Sequence, residues 1–200
     1  MSPISVNASN LILGPARLYV GAFGGAEPAD SAVTPNGVTT PPSNSVWTDV
    51  GGTDGGVTYA VDGTLTDLAV DQIIMSVGAR LTDLKMTVTT KMSEMTLTNM
   101  SNAVNQITST GSGSGYSTQD ITVTSAATQP TYAALIIDGW APYLSTGAPA
   151  LRRIIVRKVL ATPKVNLMYD KKTQASYDVS WSAYFVSNSI NPVHVVDQVA

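Results

Sequence analysis

The sequence predicts a mainly β fold, a single domain of two sheet-forming halves with one short helix. Three observations predict it. Val, Ile and Thr number 22, 11 and 24 of 200 residues, and side chains branched at Cβ favour pleated over helical backbone. Two segments alternate apolar and polar residues with a period of two, the pattern of a sheet buried on one face. A single segment breaks that period and follows helical spacing.

Along the chain, residues 21–45 are rich in Gly, Pro and Ser and lack periodicity, which predicts an exposed loop or insertion. Residues 49–56 read as a glycine-rich turn entering a strand. A hairpin is expected at about 57–80, with Gly63, Thr64, Leu65 and Thr66 near its tip. Leu84, Met86, Val88, Thr90 and Met92 then alternate with Lys85, Thr87, Thr89 and Lys91, which predicts a half-buried strand. Met95, Leu97, Met100 and Val104 lie at helical spacing, so a helix of about three turns is expected at 94–105. Ser93 is its expected N-cap, with Thr96, Asn99 and Asn102 outward. Gly111, Gly113 and Gly115 alternating with serine predict a flexible linker over 108–119.

In the second half, strands are expected at 121–124, 132–138 and 151–160. Leu135, Ile136 and Ile137 in a row imply burial on both faces. A strand at 164–169 and a turn at Asp170, Lys171 and Lys172 lead into a final strand at 175–185. There Ala175, Tyr177, Val179, Trp181, Ala183 and Phe185 oppose Ser176, Asp178, Ser180, Ser182 and Tyr184.

Composition removes whole classes of function. No cysteine is present, which excludes disulfides, thiolate metal sites and thiol nucleophiles together. The formal net charge is -3, and the 11 Lys and Arg form no long basic run, so tight nucleic-acid binding is not expected. Charged residues make up only 12%, about half the usual share, and neutral polar residues fill the gap. Such surfaces often meet other protein. No secretion signal and no apolar run of about 20 residues is found, so no membrane anchor is expected.

Catalytic motifs are equally sparse. No Gly-Lys pair exists, so there is no phosphate-cradling loop of the G-x-x-x-x-G-K type. His194 has no sequence-level partner for acid–base or nucleophilic work and sits in a tail-like stretch. Asp49 and Asp54 flank glycines but match no calcium-loop spacing. Asp62, Asp67 and Asp71 read as solvated or interface acids rather than paired catalytic carboxylates. No enzyme activity, cofactor or metal is expected.

Taken in order, the segment from Trp47 to Val57, the hairpin carrying Val70, Asp71 and Gln72, the stretch from Ser93 to Val104, and the closing strands at 154–160 and 177–185 resemble the major tail (tail tube) proteins of long-tailed bacteriophages. The resemblance covers roughly residues 11–197 and rests on the order of elements rather than on one motif. It implies a β-sandwich of two packed antiparallel sheets with a flanking helix, six copies of which close into a ring whose inner sheets form a barrel. Rings would stack into a tube that conducts double-stranded DNA into the host. The partners implied are further copies of the chain and the tape-measure, tail-terminator and tail-tip (distal tail) proteins. The location implied is the virion tail, assembled in the bacterial cytoplasm.

Two sets of candidate residues follow. Lys85, Thr87, Thr89, Lys91, Ser176, Asp178, Ser180 and Ser182 oppose the apolar stripes on their strands and are candidates for the channel wall. Asp62, Gly63, Thr64, Leu65, Thr66, Asp67 and Asp71 are candidates for contacts between rings, with the 21–45 loop and the chain ends. With about four strands per subunit, 24 strands spaced about 4.8 Å apart and tilted up to about 45° give a backbone diameter of roughly 37–52 Å. Two other readings use the same residues. One is a carbohydrate-binding, adhesin-like sandwich drawing on Trp47, Trp140 and Trp181. The other is a head decoration or neck protein of the same virion.

Overall fold

A computed structural model describes residues 11–33, 40–105, 108–113, 116–121, 130–142, 150–162, 170–172 and 174–198. The strands are β1 (Arg17–Ala22), β2 (Trp47–Asp49), β3 (Thr53–Leu68), β4 (Gly78–Met92), β5 (Thr108–Gly113), β6 (Tyr116–Ile121), β7 (Ala133–Ala141), β8 (Ala150–Ala161), β9 (Tyr177–Ala183) and β10 (Val193–Asp197), with one helix, α1 (Leu97–Val104). Eight strands form one large antiparallel sheet in the order β2-β1-β7-β8-β9-β4-β3, with β10 also on β8. Strands β5 and β6 pair apart from it. The fold is therefore mainly β with one α-helix among the described residues, as the β-branched composition predicts. Among the described residues the large sheet is not closed into a barrel.

β8 changes partner partway along. Residues Arg152 to Val156 pair with β10, and Val159 to Ala161 pair with β9. β7 covers the other edge of β8 as far as Val159. Beyond that point a side chain stands in for the missing strand, since the Asn105 carboxamide donates to Ala161 O at 2.6 Å and accepts from Ala161 N at 3.0 Å. Asn105 ends α1 in the left-handed region at φ 56, a conformation that asparagine tolerates better than most residues. One residue thus caps the helix and stitches it to the sheet.

The main core joins Leu18 and Val20 of β1, Leu135 and Ile137 of β7, Val156 and Val159 of β8, Val88 and Met92 of β4, and Val179 and Trp181 of β9. Ile136 lies on the opposite face with Tyr19, Trp47, Ala134 and Ile155. Leu135, Ile136 and Ile137 are thus buried on both faces, as the apolar run predicts.

The segment expected as an exposed loop, 21–45, is exposed at most of its described residues, with Gly21, Val33 and Pro42 as the buried exceptions. β1 continues to Ala22, and the described part of the segment lies over the second cluster. Trp47 Nε1 donates to Ala26 O at 2.9 Å, Arg157 pairs with Glu27 at 2.5 Å, and Arg153 Nη2 donates to Thr40 O at 2.9 Å. Polar backbone can cover a core when its carbonyls find donors, and composition does not show those partners. Arg153 also forms a buried two-point ion pair with Asp138, with both distances at or below 2.7 Å and exposures of 1% and 5%.

Other boundaries move for local reasons. The helix begins at Leu97, two turns rather than three, because Thr96 and not Ser93 accepts from the Asn99 backbone N–H at 3.1 Å. Asn99, expected outward, is buried because its side chain donates to Val50 O and Glu94 O, both at 2.9 Å. Residues 108–119, expected as a linker, are largely paired in β5 and β6, from Thr108↔Ile121 to Gly113↔Tyr116. Alternating glycine and serine carry no apolar signal, and the backbone N–H and C=O groups that pair there are the same in every residue type. His194 belongs to β10 opposite Ile155 rather than to a tail. The apolar stripe of β9 ends at Ala183, and Phe185 is exposed. The strand expected at 164–169 and most of that at 121–124 lie outside the described residues.

Candidate assembly surface

β3 and β4 form a hairpin far longer than the core needs. They pair from Thr53↔Met92 to Leu68↔Gly78, and every residue from Val61 to Lys85 is exposed. The expected tip at Gly63 to Thr66 is therefore mid-strand. The ribbon continues past it because Asp62 pairs with Lys85, Gly63 with Leu84 and Thr66 with Arg80, and the turn comes at 69–77. At about 3.3 Å per residue, the eight β3 residues from Val61 to Leu68 extend the arm by roughly 26 Å before the turn.

Two irregularities tie the arm to the sheet and shape it. Gly55 and Gly56 bulge between Asp54↔Lys91 and Val57↔Thr90, both at positive φ (75 and 82), where a Cβ is disfavoured. Thr90 Oγ1 closes the bulge by donating to Gly56 O at 2.8 Å. Farther out, Thr82 is the extra residue between Thr64↔Asp83 and Leu65↔Leu81. Its hydroxyl donates to Thr64 O at 3.2 Å and lies 3.1 Å from Thr66 Oγ1.

Alternation gives the arm two unlike faces. Val61, Leu65, Leu81, Leu84 and Met86 continue the face on which Val88 and Met92 are buried, and Gly63 faces Leu81 and Leu84. Beyond Met86 nothing in the chain covers that face among the described residues. Leu65 is 66% exposed and Leu84 48%; in the turn, Ile74 and Met75 reach 106% and 78%. Ten of the 18 exposed large hydrophobic side chains lie between Val61 and Leu84. Together they present roughly 1,000 Å² of apolar surface, more than the few hundred Å² usual on a monomer and comparable to one side of a standard protein interface.

The opposite face is polar and continuous across three strands. Thr87 pairs with Ser182, Thr89 with Ser180 and Lys91 with Asp178 on one side, while Asp62 pairs with Lys85 and Thr58 with Thr89 on the other. Seven of the eight channel-wall candidates therefore share one surface. The eighth, Ser176, precedes β9 and lies outside this pairing. At the root of the arm this face forms an open depression of about 580 Å³ lined by Asp54, Thr58, Thr89, Lys91, Asp178 and Ser180. Lys91 reaches Asp54 at 3.0 Å. That hydrogen bond first, and the charge of the same carboxylate second, hold the ammonium above its ordinary 10.5. Four aspartates (54, 62, 83 and 178), two lysines (85 and 91) and Arg80 leave this face close to neutral.

The inter-ring candidates are divided by the same alternation. Asp62, Thr64 and Thr66 lie on the polar face, Gly63, Leu65 and Asp67 on the apolar one, and Asp71 in the turn. The sequence reading did not single out Ile73, Ile74, Met75 and Leu81, in the most apolar part of the arm, and it put Leu84 on a buried stripe, whereas Leu84 is exposed. A signal was present, because 68–79 contains six large aliphatic residues and one charge, too apolar for a solvated turn. Trp47 and Trp181 are 2% and 1% exposed. Among the described residues no cluster of metal-ligating side chains occurs, and no helix is long and apolar enough to cross a membrane. A scan against protein-family models and a search of curated proteins found no match to the chain.

Proposed function

We propose that the chain is a structural subunit that polymerises into stacked hexameric rings, forming a tail tube of the long-tailed phage type through which double-stranded DNA passes. The observation that carries this reading is the arm, 25 consecutive exposed residues with a mostly apolar side that nothing covers among the described residues. A monomer gains nothing from such a feature and risks aggregation through it. A repeating assembly buries it in every copy but the last. The unpaired margin of β3 points the same way, since a 16-residue edge strand is a pairing template unless it is covered.

In this reading the sheet divides at β8 into the two layers of a sandwich. The β9-β4-β3 layer joins those of its neighbours into a closed barrel without free edges. Its polar face, close to electrical balance, lines the channel and offers phosphate no cluster of cations to stop at. The apolar side of the arm packs against other copies. Tape-measure, terminator and tail-tip proteins would supply the limits to growth that identical subunits lack.

Burial of Trp47 and Trp181 removes two of the three tryptophans on which the adhesin alternative drew, and Trp140 is half-buried. A head decoration or neck role would share the arm but end at a single ring. Negative-stain microscopy of the concentrated chain, alone and with a tail-initiating complex, tests the proposal. Hollow rods or annuli are expected; folded particles that stay solitary under both conditions would remove it.

A further inference from the structure

The apolar arm requires a counterpart, and another surface of the chain offers one. Phe23 and Tyr132 stand edge-to-face at 6.5 Å, and Tyr132 and Tyr184 at 5.6 Å. Lys158 Nζ lies 4.4 Å from the Tyr132 ring centre and 5.4 Å from that of Phe23. Phe23 also lines an adjoining hollow of about 340 Å³ floored by Ala134 and Ile155 and rimmed by Val186 and Ile190. Phe23, Tyr184, Phe185 and Ile190 are 44%, 42%, 66% and 47% exposed. Residues 184–192 connect β9 to β10, so this patch lies where β8 exchanges one partner for the other.

The charges of the two surfaces match. Between Asp67 and Arg80 the arm carries a single charge, Asp71. On the patch, Arg157 is neutralised by Glu27 at 2.5 Å, whereas Lys158 has no carboxylate within ion-pair distance among the described residues. A cation held over aromatic rings, partly shielded from water and without a counter-ion, favours an incoming carboxylate carried on an apolar segment. The turn suits the hollow in kind as well, since Ile73 and Ile74 are aliphatic and Met75 brings a thioether to aromatic edges. With Leu68 at the end of β3, the six large aliphatic side chains of 68–79 expose roughly 700 Å², close to the roughly 800 Å² per partner of a standard interface.

We infer that the Phe23–Tyr132–Tyr184 patch and its hollow receive the arm turn of another copy of this chain, with Asp71 of the arm paired to Lys158 of the receiving copy. The inference rests on the self-assembly reading and names the surface that reading lacks. The contact is heterologous, arm to patch, and therefore propagates.

Charge reversal tests it. Asp71→Lys and Lys158→Asp are each expected to raise the concentration needed for assembly by tenfold or more, and the two together to restore it toward that of the wild type. Both side chains lie outside the core, and circular dichroism should be unchanged. Ile74→Cys with Ile190→Cys, in a chain without native cysteine, is expected to form disulfide-linked oligomers on mild oxidation of assembled material, and each single variant is expected to form none beyond dimers. If wild-type protein assembles but reversal is not rescued and linked oligomers do not form, the docking surface is wrong and the assembly reading stands. If wild-type protein never assembles, both are wrong.

Discussion

Removing the arm separates folding from assembly. Asp62 and Lys85 are cross-strand partners, so replacing residues 63–84 by Asn-Gly, a sequence suited to a two-residue hairpin loop, ends the ribbon where it leaves the core. None of the removed residues is buried. The core keeps Val57, Tyr59, Val88 and Met92, and a shorter loop closes at slightly lower entropic cost. Stability should change by less than about 1 kcal/mol, which for a chain of this size shifts the melting temperature by no more than about 4 °C. Assembly should respond very differently. Nine of the ten exposed aliphatic side chains of the arm go, roughly 1,000 Å², and at about 25 cal/mol/Å² this is an upper bound of ~25 kcal/mol of burial against an association cost of ~4–15 kcal/mol. Thermal melting by circular dichroism, light scattering after size exclusion, and microscopy read the two effects separately. The expected result is a native-like melt with complete loss of polymer. Rods of normal appearance, or a chain that no longer folds, would each refute the reasoning.

Three further outcomes follow from the geometry. Asp138→Asn leaves Arg153 buried with its charge uncompensated and should cost about 3–5 kcal/mol in urea unfolding, whereas Asp138→Leu with Arg153→Met should cost much less. A similar loss in both variants would show that the pair acts through shape alone. Hydrogen bonding to Arg152 holds the Asp197 carboxyl below its ordinary 3.8, so its contribution is fully present above that value and is lost as pH falls through the lower folded value. The stability advantage of the wild type over Asp197→Asn should accordingly be constant above about pH 5 and shrink in stronger acid, as measured by denaturant midpoints across pH; an advantage that grows in acid would contradict the assignment. Thr89→Cys should react quickly with a bulky thiol reagent in the isolated subunit and slowly in assembled tubes, because Thr89 sits on the polar face between Thr58 and Ser180. Equal rates would take that face out of the channel.

Sequence showed the alternations well and the extent of structure poorly. On β4 and β9 the period-two pattern separated Val88, Met92, Val179 and Trp181 from Thr89, Lys91, Asp178 and Ser180, and pairing placed the second group on one surface. That works because a one-residue error in a half-buried strand moves its whole apolar set into water. The arm was misjudged because Gly63 and Thr64 resemble turn residues locally. Their strand conformation is set by partners about 20 positions away, and that of β5 and β6 is likewise set by pairing, in a stretch where alternating glycine and serine give no apolar signal. Burial of 33 and 42 was hidden for a related reason, since Arg153, Arg157 and Trp47 hold that segment from distant positions. Asn99 and Asn105 show the same limit, as each satisfies backbone groups about 50 residues away in sequence.

The exchange of partners along β8 has a mechanical meaning. A pull on the arm runs along β4 and into β9 through six residue pairs, but passes from β9 to β8 through only three. The narrow seam is reinforced from outside by the Asn105 carboxamide on the far edge of Ala161 and by Thr162 N–H donating to Ser180 O at 2.7 Å. Loaded along the strands, these bonds resist together in shear rather than opening one at a time. A subunit tugged at its projecting end would therefore yield first at that junction, while the half built on β7, β8 and β10 stayed whole.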